Sequence, residues 1–281
     1  MTESAEELLF RSGDPHLMRS LVRGLHVIQA FSRARQPYTS AELSRVTGLS
    51  RAVVRRCLYT LREAGYIEAE DHRYHLRAKV LTLGRSFERP SSLSVVARPV
   101  LEELSAHTRG ACSVGVLEEG MVLYVARVTS RSDGLALGVG SRTPAYCTAM
   151  GRVLLSSLTE QRATAEIAKV ALAPPTRFTL TSLQRLLRIL EHVRTAGYAV
   201  NDRELRADLR AIAVPVRNRA GAVVAAMSVS APASIIRSAS MAKSYLPVLR
   251  AASVRLGAQW LLTLKLPSPG KGTPPRRIDV D

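Results

Sequence analysis

The sequence predicts an α+β protein: an N-terminal winged helix-turn-helix, a linker helix, and a C-terminal domain of antiparallel sheet with flanking helices. Three observations predict it. Residues 39–64, TSAELSRVTGLSRAVVRRCLYTLREA, read as two short helices joined by a tight glycine turn. Beyond Gly65 the apolar period changes from helical to strand-like, as a hairpin requires. From Leu93 onward, strands and helices follow one another without the strict alternation of a doubly wound sheet. The implied limits are 17–78 for the winged helix, 79–92 for the linker helix, 93–266 for the second domain and 267–281 for a disordered tail.

Taken in order, the residues before Leu17 are polar and aperiodic, a loose arm. Ser20 can cap a helix whose stripe is Leu21, Leu25, Ile28 and Phe31, and Pro37 marks the break after it. Thr39 with Glu42 three positions on is a capping-box signature. Leu43 and Val46 give that helix an apolar face, and Gly48 stands where a left-handed cap is wanted. Ser50 caps the next helix, with Val54, Cys57, Leu58 and Leu61 on one side and Arg51, Arg55, Arg56, Tyr59 and Arg62 on the other. Residues 66–69, a polar turn at 70–72 and residues 73–76 form the two-stranded wing.

A helical hairpin with a solvated charged face would share the spacing. Two features favour DNA instead. Arg51, Ala52, Val53, Arg55 and Arg56 cluster in the first turns of the second helix, the end that enters a major groove. A wing comes directly after it.

Residues 79–88 read as a short linker helix ended by Pro90 and two serines. A helix over 93–108 carries Pro99, which can kink it. Residues 111–117 and 121–128 flank Glu118-Glu119-Gly120 as a hairpin, with a further strand at 135–139. Helices are expected at 147–157, 159–169 and 181–196, the last stopped by Gly197. Strands at 212–216 and 223–229 flank a turn at 218–221, and a helix over 234–264, interrupted near Pro247, closes the domain.

Composition narrows the function class. Hydrophobic residues make up 46% of 281, enough for a sizeable core. No apolar run approaches the roughly 18–20 residues of a membrane span, and the start MTESAEELLF lacks the basic and apolar regions of a signal peptide. Three scattered cysteines, Cys57, Cys112 and Cys147, fit neither a disulfide framework nor a zinc quartet, so a reduced cytoplasmic setting is expected. The net charge of +17 favours a polyanionic partner, but the excess is spread over both halves and does not locate the site. There is no G-x-S-x-G elbow, P-loop or H-E-x-x-H, and Gly138-Val139-Gly140 lacks a third glycine. His72 and His75 fall in the wing, and Cys112 and Cys147 read as small core residues. No catalytic residue, cofactor or metal is expected.

The chain resembles the IclR family of bacterial transcriptional regulators from about Leu17 to Leu264. At the front the likeness rests on SLVRGLHVIQAF, AELSRVTGLSRAVVRRCLYTLREAGYI and YHLRAKVLTLG. In the second half it rests on GSRTPAYCTAMGRVLLSSL, GYAVNDREL and AIAVPVRNRAGAVVAAMSVSAP. RAVVRRCLYTL and RTPAYCTAMGRVLL look most like regulators of the β-ketoadipate pathway, which respond to protocatechuate, 4-hydroxybenzoate or β-ketoadipate. The sequence departs at Asp208, where the family usually has glycine. The resemblance implies a GAF-like effector-binding domain over 93–266, a small organic acid as effector, and dimers that can pair into tetramers on double-stranded operator DNA.

On that reading the DNA-binding residues are Ser50, Arg51, Ala52, Val53, Arg55, Arg56, Tyr59 and the wing residue Arg73. The resemblance carries effector-lining positions onto Ala149, Met150, Asn201, Ala211, Ser228 and Ser230. The residues agree: Ser228 and Ser230, two apart on a strand, face one side, and Thr148, Ala149 and Met150 open a helix whose N–H groups favour an anion. Arg142 and Tyr146 are added as a cation and an aromatic partner for an aromatic acid. The rival readings are a regulator for a non-aromatic acid, an enzyme using the second domain, and a sequence-indifferent binder of nucleic acid.

Overall fold

The computed structural model describes residues 16–31, 36–84, 92–129 and 137–263, with side chains to 260. It divides into two compact units, residues 1–87 and 88–281. The expected arm before Leu17, the end of the linker helix and the tail at 267–281 lie wholly or largely outside the described residues.

In the first unit, α1 (Arg19–Ala30), α2 (Ser40–Thr47) and α3 (Arg51–Glu63) enclose a core of Val27, Ala30, Phe31, Leu43, Val54, Leu58, Leu61 and Ile67. The capping is as expected at α2, although of its two expected apolar residues Leu43 is buried and Val46 faces outward. The Thr39 hydroxyl accepts from the Glu42 N–H at 3.2 Å, the Glu42 carboxylate accepts from the Thr39 N–H at 2.8 Å, and Gly48 closes the helix at φ +67°. Ser50 caps α3 through the Val53 N–H. Strands β1 (Tyr38–Thr39), β2 (Ile67–Glu70) and β3 (Arg73–Leu76) pair in the order β1-β3-β2, and Asp71 and His72 turn the wing at positive φ. Two expectations for α1 need correction. Ser20 lies inside the helix, which begins after Met18 without a side-chain cap, and Leu21 and Leu25 face outward. The helix carries two apolar stripes, and helical period alone does not say which one meets α2 and α3. The linker begins as a 3-10 turn, Ala78–Val80, running into α4 (Leu81–Gly84).

The second unit is a six-stranded antiparallel sheet between two helical layers. Its strands are β4 (Ala111–Glu118), β5 (Met121–Val128), β6 (Arg142–Pro144), β7 (Ala199–Asp202), β8 (Leu209–Arg217) and β9 (Val223–Pro232), in the order β6-β5-β4-β9-β8-β7. One face carries Cys112, Val114, Ile212, Val214, Val216, Met227 and Val229, and packs on α5 (Leu93–Thr108) and α9 (Ser238–Thr263). The other meets α6 (Ala149–Ser156), α7 (Glu160–Ala168) and α8 (Leu183–Ala196).

The sequence predicts a strand at 135–139, but Leu137 to Val139 lie in loop and turn. The helix expected from Cys147 starts at Ala149, because Ala145–Cys147 forms a 3-10 turn and Thr148 caps the helix beyond it. Pro247 does not interrupt α9. The carbonyl it frees belongs to Lys243, and both residues are exposed, so water can take the lost bond. Pro99 sits likewise on the exposed side of α5.

Candidate functional site

The first candidate site is the outer face of α3. Arg51, Ala52, Arg55, Arg56, Tyr59 and Arg62 are all exposed, while Val54, Leu58 and Leu61 of the same helix are buried. The helix therefore presents one cationic side by construction. Arg51, Arg55 and Arg56 make no ion pair or side-chain hydrogen bond within the described residues. Arg62 does, pairing with Glu63 at 3.4 Å and lying 5.7 Å from the Tyr59 ring centre. Ser50 has its hydroxyl committed to the cap, Ala52 is small and exposed, and Val53 is half-buried. Arg73 differs from the helix arginines. It donates to the Pro37 carbonyl at 2.8 Å and lies 3.7 Å from Glu42, so it braces β1 and α2 as well as facing water.

The second candidate site is a cavity between the sheet and the N-terminus of α6. Cross-strand register explains it. One row of paired residues runs Arg127, Ser113, Ser228, Ala213, Ala199, and the next runs Ala111, Ser230, Ala211, Asn201. These side chains are mostly small, whereas the opposite face carries valine, isoleucine and methionine. Small residues on one face leave space between the sheet and the helix above it. The result is an inner void of about 30 Å³ within a wider depression of about 480 Å³ that opens to solvent.

Seven of the residues expected at an effector site line this cavity: Thr148, Ala149, Met150, Asn201, Ala211, Ser228 and Ser230. Arg142 and Tyr146 do not. Arg142 is on the surface, 3.4 Å from Glu118 and 3.2 Å from Glu119. Tyr146 is buried among Cys147, Leu186 and their neighbours, with its hydroxyl donating to the Ala173 carbonyl. Burial lifts that hydroxyl to about 12, so it stays protonated.

The cation missing from the sequence reading is Arg127. It donates to the Ser113 hydroxyl at 3.0 Å and lines the cavity with Tyr124. A β-bulge puts both on the same face. Tyr124 pairs with Gly115 and Ala126 with Val114, leaving Val125 as the extra residue. Strict alternation would have sent Tyr124 and Arg127 to opposite sides. Arg210 also borders the cavity but turns its guanidinium away, to Asp202 at 2.7 Å and to the Ala233 and Ile236 carbonyls.

The polar groups are arranged for an anion. Ser228 is buried, and no hydrogen bond among the described residues uses its hydroxyl, whereas Ser230 donates weakly to Ala111 at 3.3 Å. Thr148 takes the Gly151 N–H at 3.0 Å, leaving the Ala149 and Met150 N–H groups at the positive end of α6. Asn201 is fixed by donating to the Cys147 carbonyl at 2.7 Å and accepting from the Glu204 N–H at 3.3 Å. No Asp or Glu is among the described lining residues.

A buried ion pair holds the cavity's outer wall. The Arg152 guanidinium meets both Glu204 oxygens at 2.7 Å, with side chains 4% and 11% exposed. Glu204 also accepts from the Leu180 N–H, and its carbonyl accepts from Thr176 and Thr179. Sequence reasoning missed this pair, since nothing in GRVLL or NDREL says that the two charges are buried together. Burial raises the thiols of Cys112 and Cys147 to about 12, which keeps them in the weakly nucleophilic protonated form. Among the described residues no cluster of three His, Cys, Asp or Glu could hold a metal ion, and no helix is long and apolar enough to cross a membrane.

Comparison with known proteins covers both sites. Residues 20–71 match the IclR helix-turn-helix domain, and residues 90–257 match the bacterial transcriptional regulator IclR C-terminal domain. The chain is 38% identical over 244 residues to the Pca regulon regulatory protein of Pseudomonas putida, spanning 86% of this chain and 84% of that protein. It is 33% identical over 236 residues to the p-hydroxybenzoate hydroxylase transcriptional activator of Acinetobacter baylyi, spanning 82% and 87%. The second unit also resembles the inducer-binding domain of an Acinetobacter PobR double mutant, solved with 3-hydroxybenzoic acid. That match is 32% identical with a TM-score of 0.55, over 59% of this chain and 97% of that one.

Proposed function

We propose, from the premise that this chain belongs to the IclR family of bacterial transcriptional regulators, that it controls genes of aromatic-acid breakdown and that the cavity takes the acid. The protein is a ligand-responsive DNA-binding transcriptional regulator, and the two candidate sites divide the work. On the DNA side, Arg51, Arg55 and Arg56 reach bases or phosphates in the major groove, flanked by Ser50, Ala52, Val53 and Tyr59. Arg73 holds the wing in place and adds a backbone contact. The protein works in the cytoplasm as a homodimer, or a pair of dimers, reading a two-fold-related operator.

The observation that carries the effector half is the meeting of Ser228, Asn201, Arg127 and the α6 N-terminus around one cavity without a carboxylate. An anion placed there gains a cation, a free hydroxyl and helix N–H groups together. The aromatic class is supported by relatives named for the Pca regulon and p-hydroxybenzoate hydroxylase. An aromatic ring is larger than the 30 Å³ inner void, so its entry requires Met150 and Leu137 to give way. That size favours a second reading, a small aliphatic acid that fits with less movement.

Titration calorimetry with protocatechuate, 4-hydroxybenzoate, β-ketoadipate and pyruvate decides between them. Heat from pyruvate alone would displace the aromatic reading. On the DNA side, an operator fragment should outcompete random duplex DNA by at least about a thousandfold at physiological salt, and equal affinities would mean a sequence-indifferent binder.

A further inference from the structure

The cavity shares a wall with a second depression that faces water. Leu205 and Arg206 line both. The outer groove is otherwise formed by Arg177, Phe178, Arg203 and Asp208 with their neighbours. Phe178 carries two guanidinium groups, Arg203 at 3.9 Å and Arg177 at 4.9 Å from its ring centre. The groove is therefore a cationic approach to a cavity that itself contains no carboxylate.

The arginines of the loop between β7 and β8 are bound differently. Arg203 bonds Asp202 at 3.1 Å, a carboxylate already held by Arg210. Arg206 meets a local carboxylate, Asp208, with Nε at 2.9 Å and Nη2 at 2.5 Å. The pair is lopsided. The Asp208 side chain is 67% exposed and lines only the outer groove, whereas that of Arg206 is 30% exposed and lines the cavity as well. Both ends of this stretch are pinned. Glu204 is clamped by Arg152, and the Asp208 carbonyl accepts from the Ala233 N–H at 2.8 Å. Between these pins the Arg206 side chain can change partner without moving the backbone.

We propose that Arg206 is a carboxylate-binding residue of the cavity and that Asp208 is its built-in competitor, so that an entering acid displaces Asp208 from the guanidinium. The exchange preserves a paired arginine and releases Asp208 to water. It costs little, because an exposed ion pair is weak. It gains more, because the incoming carboxylate is further from solvent than Asp208 and its attraction is less screened. Asp208 thus sets the affinity of the site from outside it. The inference rests on the reading of the cavity as an acid site.

The test is titration calorimetry of the full chain with 4-hydroxybenzoate and β-ketoadipate, using 4-hydroxybenzamide as the neutral control. Asp208→Asn should tighten both acids about two- to fivefold, the size of a lost exposed pair, and leave the amide unchanged. Arg206→Gln should weaken the acids at least about tenfold, the loss of a charged hydrogen bond. In the double variant the gain from Asp208→Asn should vanish, and Asp208→Glu, which keeps a competing carboxylate, should stay near the wild type. Tighter binding that persists without Arg206, or an affinity unchanged by Asp208→Asn while the wild type binds, overturns this proposal alone. A wild type that binds neither acid removes the acid-site reading, and this proposal with it.

Discussion

Arg55 and Arg56 stand side by side on the exposed face of α3, without partners in the described chain, while Arg73 in the wing is braced against Pro37 and Glu42. The difference predicts a difference in effect. Arg55→Ala and Arg56→Ala should each weaken operator binding and leave acid binding untouched. A substitution that removes one phosphate contact should lower the salt slope of log K by about one. Fluorescence anisotropy across a salt series reads both quantities, and an unchanged slope and affinity in both variants would clear α3 of the role. The same scale shows what sequence could offer. Ser228 and Ser230 were legible because a strand repeats every two residues. Arg127 was not, because the extra Val125 breaks that repeat. Arg142 has the chemistry an acid site wants, yet Glu118 and Glu119 claim it at the surface.

At the scale of elements, a helix start was legible where a capping box or a serine after a glycine turn marks it, since one side chain and one N–H decide each. Thr39 and Ser50 cap as expected, whereas Ser20 does not, and Thr148 and Thr159 cap helices that the sequence reading began at or before them. The short strands β1, β6 and β7 span two to four residues and leave too little pattern to read. Helix α6 depends on a contact that no pattern announces. A Cβ at Gly151 would lie 2.1 Å from the Ala145 carbonyl oxygen, whereas one at Gly24 in α1 meets nothing within 4 Å. Gly151→Ala should therefore destabilise the second unit by about 1–3 kcal/mol as α6 is pushed off its 3-10 turn, and should weaken acid binding. Gly24→Ala should be neutral or stabilising by up to about 1 kcal/mol. Paired denaturant melts check the contrast, and equal effects would refute it. The Arg152–Glu204 pair invites a similar test: Glu204→Gln leaves a buried guanidinium without its counter-charge and should cost about 3–5 kcal/mol.

For the molecule as a whole, each unit carries a carboxylate whose ionised form the fold favours. Glu42 is held below its usual range by the Thr39 N–H, then by the Thr39 hydroxyl. Burial pushes Asp202 up, but the hydrogen bonds from Arg210 and Arg203 outweigh it, and the net shift is downward. A depressed carboxylate contributes stability above its unfolded value and loses it as pH falls through the folded one. Both units should thus weaken on acidification below about pH 4. Glu42→Gln should flatten the acid limb of the first unit and Arg210→Gln that of the second, as read by circular dichroism melts at stepped pH. A limb unaltered by either change would mean that other carboxylates govern it. The cationic helix of the first unit was readable from capping and helical spacing, whereas the effector positions of the second came from the family resemblance. The wall between cavity and groove was not readable, because it joins Arg152 to Glu204 and Arg206 to Asp208 across loops with no repeating pattern.

The surplus valine in β5 has an evolutionary corollary. Tyr124 precedes it and Arg127 follows it, so deleting that single codon would restore simple alternation and leave the two side chains two residues apart, both still on the cavity face. The cavity would keep its charge, and only the local bend and extra twist of the strand would be lost. Such a receptor can thus gain or shed one residue at this point of the strand without altering its chemical taste.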